Sequence, residues 1–141
     1  WAGARLGHPR DAAGDARREL GRRGEALACR YLRQQGCRIL DRNGVHRLGG
    51  RRWMEFDIVA EHAGALVFVE VKTRRQYRPE FPAERAVHPG KRQRLLRGAQ
   101  NYRQARQFRG PYRFDVLCIY GPDEPAPEIR WLRDAFFPGR R

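Results

Sequence analysis

The sequence predicts a single α/β domain, a mixed central sheet flanked by helices, with elements in the order α-β-β-β-α-β and a small terminal addition. Three observations carry this. Apolar residues recur at helical spacing in two stretches, near 15–35 and 91–108, whereas the runs between and after them alternate or stay apolar over strand-like lengths. The 141 residues suffice for one hydrophobic core but not for two.

Residues 1–14 read as a flexible basic arm, because Gly3, Gly7, Pro9 and Gly14 interrupt any helical pattern. The domain proper is expected over 15–137, followed by a basic tail at 138–141. Asp15 is a candidate N-cap for a helix whose stripe is Leu20, Leu27, Ala28, Tyr31 and Leu32, with Gly36 as its stop. Cys37 to Asp41 is a short strand. The glycine- and arginine-rich stretch from Asn43 to Trp53 reads as a loop on the substrate side. Strands at 54–60 and 66–72 are joined through Glu61-His62-Ala63-Gly64-Ala65, whose glycine suits the positive φ of a hairpin turn. Residues 73–90 are irregular, with Pro79, Pro82, Pro89 and Gly90, and lead into a helix over 91–108 carrying Leu95, Leu96, Ala99 and Tyr102 on one stripe. Arg113 to Tyr120 is a further strand, and Ile129 to Phe137 a short terminal strand with a turn.

The formal net charge of +14 points to a polyanionic partner, with nucleic acid the class that best matches a basic single domain. No apolar run approaches the roughly 20 residues that span a bilayer, and Trp1 to Arg18 lacks the apolar centre of a secretory signal. Cys29, Cys37 and Cys118 show no Cys-x-x-Cys spacing, which argues against a disulfide framework or a zinc site and for small buried hydrophobes in a reducing cytoplasm. His8, His46, His62 and His88 have no ligand spacing.

The chemistry-bearing feature is Glu55 and Asp57, followed by Glu70 and Lys72. Period-two alternation puts Glu55, Asp57 and Val59 on one face of their strand, opposite Met54, Phe56 and Ile58, and sets Glu70 beside Lys72 on the next. An antiparallel pair would bring Asp57 close to Glu70. Three converging acids repel one another without a cation, and a hard cation such as Mg²⁺ takes one or two carboxylates together with water and substrate phosphate. The choice of lysine at 72 carries information, since the chain has 28 arginines and only two lysines, Lys72 and Lys91. Lysine is a compact donor whose pKa shifts readily, whereas arginine is a planar fork that stays protonated. The competing reading is a solvated sheet face with Lys72 as a cross-strand salt-bridge partner. Against it stands the apolar run around Glu70, since a buried acid needs a partner.

The segments Gly24-Glu25-Ala26-Leu27-Ala28 with Tyr31-Leu32, Glu55-Phe56-Asp57-Ile58-Val59, Phe68-Val69-Glu70-Val71-Lys72-Thr73-Arg74, Pro82 to Val87 with Lys91, and Arg113-Phe114-Asp115-Val116 resemble the YraN family over roughly Gly21 to Phe136. That family belongs to the PD-(D/E)xK nuclease superfamily and is similar to archaeal Holliday-junction resolvases. The resemblance implies a restriction-endonuclease-like core, with Asp57 and Glu70 as ligands of Mg²⁺ (or Mn²⁺), Glu55 beside them, and Lys72 orienting the attacking water and the scissile phosphate. Glu25 matches a helix glutamate that resolvase-like members add to the site; from spacing alone it is equally a surface acid paired with arginine. Lys91 becomes a candidate phosphate contact, together with Arg74, Arg75, Arg51 and Arg52. Met54 departs from the family pattern, which has glycine before Glu55. The expected activity is metal-dependent endonucleolytic cleavage of structured or branched DNA. The alternatives are a non-catalytic nucleic-acid-binding module on the same fold and an assembly protein that pairs with a second copy through Trp131, Phe136 and Phe137.

Overall fold

Helix α1 spans Pro9–Gln34 and is followed by strands β1 (Arg38–Leu48), β2 (Arg51–His62) and β3 (Ala65–Arg74). Helix α2 (Pro89–Ala105) then leads to β4 (Tyr112–Tyr120) and β5 (Glu128–Leu132). This computed structural model describes residues 9–48, 51–79 and 89–135, with side chains over 12–42, 56–79 and 92–135. The sheet order is β1-β2-β3-β4-β5. All neighbours pair antiparallel except β3 and β4, which run parallel because α2 provides the crossover between them. The mixed α/β sheet expected from the sequence is therefore present, with the terminal addition forming a fifth strand.

The two helices cover opposite faces. Residues Ala28, Cys29 and Leu32 of α1 pack on Ile58, Ala60, Val67, Val69, Leu117 and Ile119. Leu95, Ala99 and Tyr102 of α2 pack on Phe56, Val59, Leu66, Phe68 and Phe114. Both stripes match the helical spacing read from the sequence, and the near-continuous burial of 66–69 and 114–120 explains why β3 and β4 read as apolar runs. Helix α1 ends where Gly36 takes φ +89. The Cys37 and Gly36 amides donate to the carbonyls of Leu32 (2.9 Å) and Arg33 (3.0 Å), a Schellman stop that glycine adopts without strain.

Three expectations are corrected. Helix α1 begins at Pro9, not Asp15, so 9–14 belong to the helix and not to an arm; residues 1–8 of the expected arm and the tail 138–141 lie outside the described residues. The stretch is rich in alanine and arginine, whose helix propensity outweighs a single interior glycine. Asp15 is thus an exposed mid-helix acid paired with Arg18 at 2.7 Å, not a cap. Residues 43–48 and 51–53, expected as a loop, are strand backbone, with register running from Gly44↔Phe56 to Leu48↔Arg51. This outer half of the β1–β2 hairpin extends past the point where β2 stops pairing with β3. Glycine and arginine are tolerated there because β1 is an edge strand.

Candidate functional site

The β2–β3 connection is a two-residue hairpin turn. Ala63 and Gly64 have φ +49 and +80, the pair of positive values a type I′ turn requires, and His62 pairs with Ala65 across it. The ladder then runs for five pairs and ends at Ile58↔Val69. Beyond that point β3 continues on β4 as far as Arg74↔Tyr120, so β2 and β3 part company while β3 remains tethered. Asp57 and Glu70 are the next residues of β2 and β3 past that last pair. The Val71 amide donates to Asp57 Oδ2 at 2.8 Å, so a carboxylate stands in for a strand carbonyl at the opening. Alternation fails at the same place: Phe56 packs with Val59 and Phe68 on the α2 side, and Ile58 packs on the α1 side. The expected grouping of Phe56 with Ile58 is therefore wrong, because a strand released from one neighbour no longer keeps a strict pleat.

On β3, Lys72 Nζ lies 3.0 Å from Glu70 Oε1, with the two side chains only 18% and 11% exposed. Register sets Glu70 beside Val116 and Lys72 beside Cys118, the start of an apolar patch completed by Tyr120. A pair so largely removed from water has to stay together. Truncating one partner would leave a desolvated charge, at a cost of about 3–5 kcal/mol when burial is complete and less at this residual exposure.

Gly24 sets how α1 meets this end of β3. A Cβ at residue 24 would lie 1.8 Å from Thr73 Oγ1, so only glycine permits the approach. Glu25, the next residue, is half-buried. Among the described residues, however, no three His, Cys, Asp or Glu side chains come together as a group able to hold a metal ion. Glu25, Asp57 and Glu70 are all described, so the helix glutamate does not complete a three-acid cluster with the strand pair. The side chains of Glu55, Lys91, Arg51 and Arg52 lie outside the described ones. Asp57 and Glu70 remain a donor set of the right chemistry for a hard cation that takes the rest of its shell from water and phosphate.

Arg74 and Arg75 are exposed just past Lys72. They line one groove of about 400 Å³ with Gln76 and Arg78, and a second of about 650 Å³ with Thr73 and, from α1, Arg17 and Leu20.

Two acids given no role in the sequence reading turn out to be structural hubs. Asp115 is 1% exposed. It accepts from Arg113 Nε at 3.0 Å, Trp131 Nε1 at 2.8 Å and the Asp134 amide at 2.9 Å, binding β4, β5 and the turn after it. Trp131 also meets the Tyr31 and His62 rings edge-on within this domain, while Phe136 and Phe137 lie outside the described residues. Asp41 on β1 accepts from Tyr102 Oη and from Arg106 Nη2 (2.9 Å) of α2. Burial first, then this hydrogen bond, pushes the Tyr102 phenol well above its ordinary pKa. The signal for Asp115 was available: an acid inside the apolar run Phe114 to Tyr120 needs a partner, by the same rule applied to Glu70.

Known proteins resemble the chain over most of its length. The profile of the uncharacterised protein family UPF0102 matches residues 24–119, which encloses the Gly24–Thr73 contact, Asp57, Glu70 and Lys72. A UPF0102 protein of Syntrophotalea carbinolica is 47% identical over 121 residues, covering 85% of this chain and 93% of the relative. A second, from Rhodococcus opacus, is 40% identical over 117 residues, covering 83% and 95%. A third, from Solibacter usitatus, is 44% identical over 118 residues, covering 82% and 84%. With a profile match across the sheet and relatives aligned nearly end to end, the chain belongs to the UPF0102 family, the YraN family its motifs resemble.

Proposed function

We propose that this protein is a metal-dependent endonuclease that hydrolyses phosphodiester bonds in structured or branched DNA. The observation that carries the reading is the side-by-side placement of Glu70 and Lys72, 3.0 Å apart, where β2 and β3 separate and Asp57 is held on the Val71 amide. Asp57 and Glu70 would hold Mg²⁺ or Mn²⁺. The chemistry such a cation supplies when bound is Lewis-acid activation of the phosphodiester and of the attacking water. The chain's own contribution is positional. Glu70 orients the Lys72 ammonium, and the ammonium donates to a phosphate oxygen as negative charge develops there. The backbone hydrogen bond fixes the Asp57 carboxylate before any ligand arrives, which lowers the reorganisation needed on binding. Exposed arginines past Lys72, within a chain of net charge +14, supply attraction for the polyanion. Three buried thiols accord with a reducing cytoplasm, and among the described residues no helix is long and apolar enough to cross a membrane.

A specific observation favours a second reading. Glu70 is already engaged by Lys72 at 3.0 Å, an ion pair that a non-catalytic nucleic-acid-binding module on the same fold would keep as a purely structural contact. The test is to incubate the parent with linear, flapped, single-stranded and four-way DNA in Mg²⁺ or Mn²⁺, beside Asp57→Asn and Glu70→Gln, and to measure metal binding by calorimetry. The nuclease reading expects cleavage of at least one substrate, lost in both variants while DNA binding persists. DNA binding by a parent that cuts nothing and takes up no divalent metal would leave the binding module standing.

A further inference from the structure

We infer that Tyr77, stacked with Arg130 beside the Lys72 face of the sheet, is a docking platform for an unpaired nucleobase, so that the nucleic acid met there is single-stranded, as at a flap or branch. The inference rests on the nucleic-acid reading above and adds the class of substrate.

Tyr77 is 42% exposed, the one large hydrophobic side chain presented to solvent among the described residues. The Arg130 guanidinium lies 4.3 Å from its ring centroid, and the ring meets Tyr120 at 5.3 Å and 88°. Tyr120 ties this aromatic to the candidate site. Residues paired in a parallel ladder share a face, and the register sets Lys72 beside Cys118 and Arg74 beside Tyr120. Tyr120 is therefore two residues beyond the partner of Lys72 on the same face, about 7 Å along β4. The segment between is anchored: the Gly121 amide donates to the Arg74 carbonyl at 2.9 Å. The Tyr120 contact thus links Tyr77 to the strand pair that carries Lys72.

Its surroundings match the chemistry of a single strand. Arg74, Arg75 and Arg78, its neighbours along the chain, line a groove of about 400 Å³. Guanidinium groups neutralise successive phosphates, while an aromatic ring backed by a guanidinium offers a surface on which a base of any sequence can stack. A duplex cannot use it, because its bases are already stacked on one another. A purely electrostatic groove would have no use for an exposed ring, and an ordinary surface cation–π pair would be indifferent to whether a ligand carries bases.

The experiment compares the full chain with Tyr77→Ala and Tyr77→Phe, measuring affinity by fluorescence anisotropy without metal and at matched salt. The probes are a labelled oligothymidylate, an abasic deoxyribose-phosphate oligomer of the same length, and a duplex. Tyr77→Ala should weaken oligothymidylate binding about 5- to 150-fold and leave abasic and duplex binding unchanged, and Tyr77→Phe should behave as the parent. Circular dichroism melting checks that the exposed substitution leaves the fold intact. An equal loss on oligothymidylate and abasic oligomer, or no loss on either, overturns the platform while leaving the nucleic-acid reading in place. A parent that binds none of the three probes overturns both.

Discussion

Replacing Gly24 with alanine tests how α1 is seated on the sheet, and the structure predicts both the sign and the size of the effect. An alanine Cβ at 24 would sit 1.8 Å from Thr73 Oγ1, 2.8 Å from its Cβ and 2.9 Å from its Cγ2. Ordinary carbon contacts are about 3.5–4.0 Å, so the helix must lift from β3 by more than an ångström or Thr73 must be driven off its rotamer. Overpacking of this kind costs about 1–3 kcal/mol or more, against a helix-propensity gain of about 1 kcal/mol for Gly→Ala. Gly21, one turn earlier, is the internal control, because a Cβ there meets nothing within 4 Å. Gly21→Ala should therefore stabilise by about 1 kcal/mol, and Gly24→Ala destabilise by about 2 kcal/mol, the upper end of the overpacking cost less the propensity gain, because a 1.8 Å approach is a severe clash. In a domain of this size each kcal/mol moves Tm by about 2–4 °C, so the two variants should melt on opposite sides of the parent. Urea denaturation followed by circular dichroism measures both. Thr73→Ala in the Gly24→Ala background should recover part of the loss, since it removes Oγ1 and Cγ2 but keeps the Cβ contact. A Gly24→Ala protein as stable as Gly21→Ala would refute the close-approach argument.

Asp115→Asn should cost about 3–5 kcal/mol in urea midpoint analysis, because the desolvated Arg113 guanidinium, Trp131 Nε1 and the Asp134 amide lose a charged acceptor; a neutral result would mean the hub is expendable. Lys72→Arg should fold and bind DNA but lose most cleavage, since the planar guanidinium cannot take the position of a compact ammonium, and cleavage rates equal to the parent at matched metal and salt would remove Lys72 from the chemistry. Cys29, Cys37 and Cys118 are buried thiols, and burial raises the thiol pKa of the first two, so their thiolate fraction at neutral pH is below that of exposed cysteine; Ellman's reagent should react slowly with the native chain and promptly in denaturant. DNA affinity should fall with salt at a log–log slope of about −0.9 per phosphate neutralised, and a flat dependence would remove the basic grooves from the binding surface.

What the sequence disclosed and what it hid divide along a physical line. Helical stripes, the Gly36 stop and the Ala63–Gly64 turn were legible because each depends on a few neighbouring residues and a fixed period. The pairing of Glu70 with Lys72 was legible for the same reason, being one alternation along a strand. The outer half of the β1–β2 hairpin was not, because strand pairing at 43–53 is decided by a partner chain segment and the local glycines and arginines signal a loop. The start of α1 was missed by giving breaker residues more weight than the alanine and arginine around them. Asp57 shows the limit most clearly. Alternation could place its carboxylate on a face, but only the opening of the ladder makes that carboxylate an acceptor for Val71, and ladder endings leave no mark in residue order. Nor could spacing settle Glu25, whose helix docks by way of a glycine contact at Thr73.

The Val71 amide makes this opening observable without touching the chemistry. Amides inside the β2–β3 ladder are held by backbone, and their exchange with deuterium reports on opening of the sheet itself. The Val71 proton instead rests on a side-chain carboxylate, so its exchange rate and its nuclear magnetic resonance shift follow the rotamer and charge of Asp57. Titrating a divalent cation, neutralising the acid, or adding an oligonucleotide would each be read at one resonance, on the residue between Glu70 and Lys72, in the unlabelled native side-chain setting. A single backbone proton thus serves as a local gauge of whatever the carboxylate is doing.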